Sequence, residues 1–250
     1  MKNCKIIYLL LIVMFLGCSP DDNSSVVEDG SNPAPNLKAT GSSANDFLAA
    51  ADYESLRIEI VYVQNFRPSL QTINNLKQFL QQRLNKPGGI TITETAIPSP
   101  GTSPYELTDV RKIEIDTRTL YNDVGVLALY ILFLDGGHPT DTVNSFTLGT
   151  AYRNTSCVIY ENSVMNFSNR PNGPDLAALE STVLLHEVGH LLGLVNFGSP
   201  QQNDHLDDAH DKHCENVNCL MFWQAQMIVN DNVPGLDADC IADLRANGGK

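Results

Sequence analysis

The chain has 250 residues, of which 42% are hydrophobic, and its formal net charge is −13. That length and apolar content suffice for one sizeable core, or for one domain with an extension. The acidic balance disfavours binding to nucleic-acid backbones and to anionic lipid surfaces, so we expect no nucleic-acid partner. After residue 17, every apolar segment is far shorter than the roughly 20 residues that span a bilayer.

The first residues have the pattern of an export signal. Two lysines precede an unbroken apolar run over 6–16, which is too short to cross a bilayer. A glycine and Cys18 follow, and a small residue before a cysteine resembles the end of a bacterial lipoprotein signal, in which the cysteine carries the lipid. Phe15 stands where that family usually has leucine, and an ordinary signal peptide or short anchor is the alternative. We expect residues 1–17 to be a lipoprotein signal peptide and Cys18 to be the lipidation site.

The segment behind this cysteine, residues 18–45, is rich in Ser, Asn, Pro, Gly and Asp. Such a composition predicts a flexible tether. Its acidic pair, Asp21 and Asp22, resembles a mark for cell-surface display in some Gram-negative lipoproteins, and a solvated linker is the alternative. We therefore expect a folded domain over 46–250, attached to the bacterial envelope and facing outward or into the periplasm.

Apolar periodicity predicts the elements of this domain. In chain order they are a strand over 55–64, a helix over 68–85, a strand over 90–97, a helix over 105–121, a strand over 125–134, two strands or a hairpin over 146–152 and 157–161, a helix over 175–192 and a short helix over 236–246. The strand over 125–134 is apolar on both faces and is predicted to lie at the centre of the sheet. This order predicts an α+β fold, with a twisted mixed β-sheet packed on helices.

The helix over 175–192 carries H-E-V-G-H, from His186 to His190. Residues four apart lie on one helix face, about 6 Å apart along the axis, and two imidazoles so placed bind one zinc ion. Glu187 lies beside the first histidine, where it would serve as general base and then as general acid for a water acidified by zinc. The neighbouring leucines and valines predict burial, and a buried His-Glu-His set without a metal would be costly. A helix whose polar groups are satisfied by hydrogen bonds is the alternative.

The segment H-E-V-G-H-L-L-G, residues 186–193, resembles the metzincin metallopeptidases, whose motif continues to a third histidine and a methionine turn. Asn196 stands at the position of that third histidine. Further along, H-C-E-N-V-N-C-L-M is similar to one branch, the archaemetzincins, in which the third histidine precedes a cysteine, four residues, a second cysteine, one residue and methionine. The resemblance implies a metzincin-like fold with a loop inserted before His213, His213 as third zinc ligand, and Met221 as the turn methionine.

The inserted loop contains other histidines that could serve as the third zinc ligand. Five of the six histidines lie between 186 and 213, and this clustering favours a metal site. His205 and His210 are the alternative third ligands, whereas His213 is preferred because the spacing of the cysteines and the methionine starts from it. The loop aspartates have no recognisable calcium spacing, and a solvated acidic loop is the simpler interpretation.

Two departures from the archaemetzincin pattern concern the cysteines and one aromatic residue. That branch carries a second zinc site of four cysteines with a late C-x-x-C pair, whereas only Cys240 lies downstream here. An exported chain meets an oxidising compartment, so we expect disulfides instead, Cys214 with Cys219 and Cys157 with Cys240, one of three pairings. Some metzincins have a tyrosine two residues after the methionine, where this chain has Trp223.

These features together predict a zinc-dependent endopeptidase with one catalytic zinc ion and a protein or peptide substrate. The resemblance implies that the substrate lies along a strand near 148–152. The membrane would be contacted only through the lipid anchor. The alternative is a non-catalytic surface lipoprotein that binds a protein or glycan and holds a structural or latent zinc, for example with His205 in the position otherwise open to water.

Overall fold

The computed structural model describes residues 32–143, 145–224 and 232–250. The predicted signal peptide, Cys18 and the acidic pair behind it lie outside these ranges and stay predictions. Within them, no helix combines the length and apolarity needed to cross a membrane.

A five-stranded sheet forms the centre of the molecule. Its strands are β1 Tyr53–Val63, β2 Gly89–Ile97, β3 Gly125–Phe133, β4 Gly149–Arg153 and β5 Ser156–Ile159. Their spatial order is β2-β1-β3-β5-β4, and every neighbouring pair is parallel except β4 with β5. The strand β3 is almost wholly buried and occupies the middle position, as its continuous apolar sequence predicts. The strand β4 ends the sheet at one edge.

Helices cover both faces of this sheet. They are α1 Ala44–Leu48, α2 Leu70–Arg83, α3 Leu107–Thr117, α4 Glu161–Ser168, α5 Leu176–Leu191 and α6 Ala238–Ala246. Side chains alternate across β1, so Ile58 and Ile60 pack with α2 and α5 in one core. Val61 and Val63 pack with α3 in the other core. The long helix α5, which carries the histidine motif, is therefore buried against the sheet.

The α+β class and the mixed sheet on helices confirm the sequence-based prediction, and each predicted strand and helix has a counterpart whose ends differ by a few residues. Asp175 begins α5, because its side chain accepts a hydrogen bond from the backbone N–H of Ala178 at 3.0 Å. The short helices α1 and α4 were not predicted.

Part of the segment that the composition assigns to a tether is folded. A 3₁₀ turn spans Ala34–Asn36, and Asn36 is fully buried. The side-chain amide of Asn36 donates hydrogen bonds to Thr155 at 2.9 Å and to Asn122 at 2.7 Å. The packed domain therefore includes residues that precede the predicted boundary at residue 46.

Candidate metal centre

Three histidines converge at the C-terminal half of α5. His186 and His190 come from the helix, His213 comes from the loop that follows it, and their ligand nitrogens lie within 4.8 Å of one another. The Nε2 atoms of His186 and His190 are 3.1 Å apart. The structure thus brings together the three residues that the sequence analysis preferred as metal ligands.

Backbone carbonyls orient two of these rings. Nδ1 of His186 donates to the Leu220 carbonyl at 2.9 Å, and Nδ1 of His213 donates to the Asp211 carbonyl at 3.0 Å. A carbonyl oxygen only accepts, so each Nδ1 carries the proton and each Nε2 keeps a free lone pair. Metal-binding histidines are usually held in this way by a partner on the second nitrogen.

The electrostatic surroundings keep the three imidazoles neutral. Burial lowers the pKa of His186 to about 4 and moves the pKa of His190 well below its usual value. Burial also lowers the pKa of His213. Three uncharged imidazoles are also the protein ligands of some catalytic zinc sites, in which a fourth position is left open.

Glu187 lies beside this cluster and against the edge strand. Its Oε2 accepts a hydrogen bond from the Ala151 N–H of β4 at 2.7 Å, and burial raises the pKa of Glu187 to about 8. A Cβ on Gly149 would stand 2.7 Å from Cγ of Glu187, so only glycine lets β4 approach so closely. The carboxyl group is therefore fixed between the helix and the edge of the sheet.

The chain turns sharply behind α5 at Gly193. Its φ is +80°, and a Cβ there would lie 2.5 Å from the backbone nitrogen of Ser199. Ser199 closes the turn by donating its N–H to the Gly193 carbonyl at 2.9 Å and its hydroxyl to the Leu192 carbonyl at 2.7 Å. Asn196 follows in an exposed position with φ +69°, and His213 occupies the third place in the cluster.

Met221 lies directly beneath the motif. Its side chain is fully buried, and a Cβ on Gly189 would stand 2.3 Å from the Met221 sulfur. Its carbonyl accepts the Cys214 N–H at 2.9 Å, so the residue after His213 is tied to the turn that carries the methionine. Met221 thus lies against Gly189 of the motif, and its role as the turn methionine stays a prediction.

The two alternative ligands lie elsewhere. Nε2 of His205 is 2.8 Å from an Asp243 carboxylate oxygen, and its Nδ1 faces the Cys240 sulfur at 3.9 Å. The imidazole of His210 stacks on Trp223, with ring centroids 3.9 Å apart. Neither histidine belongs to the cluster formed by His186, His190 and His213.

The predicted disulfides are wrong for this structure. Cys157, Cys214, Cys219 and Cys240 are all free. Cys157 lies on the buried strand β5, whereas the first turn of α6 places the Cys240 sulfur 3.7 Å from that of Cys219. Cys214 and Cys219 are likewise not bonded to each other. Cys214 lies with His205 and Cys240, and Cys219 lies beside Cys240.

A second candidate metal site consists of three of these thiols and one histidine. We call it the thiol cluster, and its residues are Cys214, Cys219, Cys240 and His205. Ligand atoms of His205, Cys214, Cys240 and the adjacent Asp237 lie within 4.8 Å of one another. Contacts with the other two thiols lower the pKa of Cys219. Three sulfurs and one nitrogen are a donor set of structural zinc, and the Asp243 carboxylate holds His205 by its second nitrogen. Counting cysteines alone missed this site, since a histidine takes the fourth place.

A cleft of about 820 Å³ opens over the three histidines. The strand β4 borders it on one side, and the segments that carry His213 and Met221 border it on the other. Aromatic side chains line much of its wall: Phe146, Phe167, Phe197, Phe222 and Trp223.

Comparisons with known proteins agree with this architecture. No protein-family model and no curated protein match the chain. Among solved structures, the archaemetzincin of Methanopyrus kandleri superposes with a TM-score of 0.51 at 16% identity, over 78% of this chain and 96% of that one. Metalloproteinase-II of Bacteroides fragilis gives a TM-score of 0.45 at 16% identity, over 85% of this chain and 56% of that one. The match to archaemetzincin shows that the chain has an archaemetzincin-type α+β fold.

Proposed function

We propose that the protein is a zinc-dependent endopeptidase. The observation that carries this proposal is the convergence of three neutral imidazoles beside Glu187, on the floor of a cleft bordered by an edge strand. The fold shared with archaemetzincin supports the same class of enzyme. Peptides are the proposed substrates.

His186, His190 and His213 hold the ion in this proposal. Bound zinc supplies a Lewis acid for the scissile carbonyl and acidifies water near neutral pH. In this proposal Glu187 takes the proton from the attacking water and returns it to the leaving amine. The Ala151 N–H holds the carboxyl in place during both transfers.

The substrate would lie along β4. This strand is the last of the sheet, and its residues Gly149, Thr150 and Ala151 line the cleft. An extended peptide can add to such an edge by main-chain hydrogen bonds, which gives affinity without strict demands on sequence. Hydrolysis inside a chain, rather than at its end, is the proposed reaction.

We also propose a second, structural zinc ion in the thiol cluster. Its four donors are buried, and the Asp243 carboxylate orients the histidine as in known zinc sites. The sequence-based expectation of a single ion is thus extended to two. Metal analysis of the purified protein should give two zinc ions per chain.

Attachment to the bacterial envelope is proposed from the N-terminal sequence alone. The apolar run before Cys18 supports a lipoprotein signal. Metabolic labelling with a radioactive fatty acid should mark the wild-type chain and leave Cys18→Ser unlabelled.

The decisive experiment is cleavage of a quenched fluorescent peptide library by the zinc-loaded full chain, with and without a chelator. Two results together would establish the peptidase. The chelator should abolish cleavage by the wild-type chain, and Glu187→Gln should bind zinc but not cleave the peptides. Zinc binding without any cleavage would favour the alternative, a non-catalytic binding protein with a latent site.

A further inference from the structure

We propose that Trp223 is a specificity-determining residue that stacks on an aromatic side chain of the peptide substrate, with His210 and Asp207 as its positioning residues. This proposal rests on the proposed function. It concerns the wall of the cleft and requires no additional metal ligand or proton transfer.

The first observation is the exposure of Trp223. Its relative exposure is 39%, and it lines the cleft. Of the seven large hydrophobic residues that are exposed in the described ranges, only Val217 and Trp223 line this cleft. An exposed apolar side chain in a concave site marks a place where a ligand can bind, whereas isolated exposed residues elsewhere need no such explanation.

The second observation is that the indole is held in a fixed plane. The His210 imidazole covers one face, with centroids 3.9 Å apart and an angle of 13° between the rings. Asp207 fixes His210 in turn, because its Oδ2 lies 2.8 Å from Nδ1 of His210. Oδ1 of Asp207 accepts the backbone N–H of Ala209 at 2.8 Å. Because His210 covers one face, a ligand can stack only on the opposite face or meet the ring edge, and a ring held in place in advance loses little entropy on binding.

The third observation concerns the one basic side chain of the cleft wall. Lys212 is the only Lys or Arg among the described residues that line the cleft. Its ammonium lies 5.4 Å from the centre of the Phe197 ring and 3.6 Å from an Asp211 carboxylate oxygen. Because these contacts already engage the cation, Lys212 does not compete for the indole face, and a flat ring such as that of Phe or Tyr can stack there.

The test uses peptides that differ at one position near the scissile bond, with Phe, Leu or Ala there. For the zinc-loaded full chain we expect kcat/KM to be about tenfold higher for Phe than for Ala, equivalent to about 1.4 kcal/mol. In Trp223→Ala this ratio should fall to near one, and in Trp223→Phe most of it should remain. A Trp223→Ala variant that keeps the wild-type ratio would overturn the proposal.

The positioning role of His210 has its own test. His210→Ala should reduce the preference for Phe, whereas His210→Phe, which retains a flat ring against the indole, should restore it. Zinc content is measured in both variants, because His210 precedes His213 by only three residues. Ile115→Ala, which removes an exposed apolar side chain on α3, is the matched control and should keep the wild-type ratio. Equal ratios in His210→Ala and wild type would remove His210 from the proposal.

A binding experiment separates this inference from the proposed function. Trp223 is the only tryptophan in the chain, so its fluorescence reports on this one position. In the zinc-loaded Glu187→Gln variant, Phe-containing peptides should change the emission and bind about tenfold more tightly than Ala-containing peptides. The same binding preference, found together with a zinc-loaded wild-type chain that cleaves no peptide, would support the aromatic site while refuting the peptidase. Cleavage with no emission change and no aromatic preference would refute the aromatic site alone.

Discussion

Nδ1 of His186 donates a hydrogen bond to the carbonyl of Leu220 at 2.9 Å, and this bond joins the first histidine of α5 to the turn that carries Met221. Leu220 follows Cys219, whose sulfur belongs to the thiol cluster and lies 3.4 Å from the Met221 nitrogen. The orientation of a ligand in the candidate catalytic site therefore depends on a segment that the second site holds.

Loss of one thiol should accordingly affect both sites. We expect Cys240→Ser to lose the second zinc ion and to lower the free energy of unfolding by at least about 3 kcal/mol, because metal binding at a structural site adds directly to folding. For a chain of this size that loss corresponds to a fall of roughly 6–12 °C in Tm. Calorimetry and metal analysis measure the two effects. Cys157→Ala is the matched control: it removes a buried thiol outside the cluster and should retain two ions.

Glu187→Gln tests the proton-transfer role directly. The amide cannot take a proton from water, so kcat should fall by about 10²–10⁴-fold, while the three histidines keep their zinc. Steady-state kinetics and metal analysis on the same preparation separate the two properties. Glu54→Gln, an exposed substitution on β1, should leave both unchanged. Retention of full activity by Glu187→Gln would contradict the mechanism.

Gly149→Ala tests the contact between the edge strand and Glu187. The new methyl group would meet Cγ of Glu187 at 2.7 Å and Cγ1 of Val183 at 3.0 Å, so either the carboxyl group or β4 must move. We expect a fall in kcat of about 10- to 100-fold with zinc content unchanged, since small displacements of a catalytic group have effects of that size. Gly235→Ala is the control, because a Cβ at Gly235 has no neighbour within 4 Å.

Helix and strand periodicity was enough to predict the sheet, the long helix and the relation of His186 to Glu187 and His190. Those features depend on residues close in sequence, and the spacing of a helix places them on one face. Assigning His213 needed the resemblance, because the path of an inserted loop does not follow from spacing. The helix α4 was missed because it has only eight residues, E-N-S-V-M-N-F-S, which is shorter than the window of about 11 residues or more over which apolar periodicity is read.

The thiol cluster depends on contacts between residues that are far apart in the sequence. Its histidine reaches Asp243 across 38 residues, and Cys240 meets Cys219 across 21. The predicted disulfides followed from the number and spacing of the cysteines, which takes account of cysteine partners alone. The fold instead brings in His205, which the sequence analysis considered only as a ligand of the first site.

A buried carboxyl pair gives the last prediction. Glu161 and Glu180 are 2% and 1% exposed, and burial, followed by the nearby Glu180 carboxylate, raises the pKa of Glu161 to about 9. Folded chains therefore keep this proton at pH values where unfolded chains have released it, so the free energy of unfolding should fall as the pH rises from about 4.5 toward 9. The Glu161→Gln side chain cannot ionise, so its free energy of unfolding should not show this decline. Between pH 5 and pH 8, the free energy of unfolding of Glu161→Gln should therefore rise relative to that of wild type by at least about 1.4 kcal/mol, the equivalent of one unit of pKa. Urea unfolding of both proteins at pH 5 and pH 8 measures the difference, and Glu54→Gln should follow the wild-type curve. Parallel curves for wild type and Glu161→Gln would show that Glu161 is ionised in the folded protein.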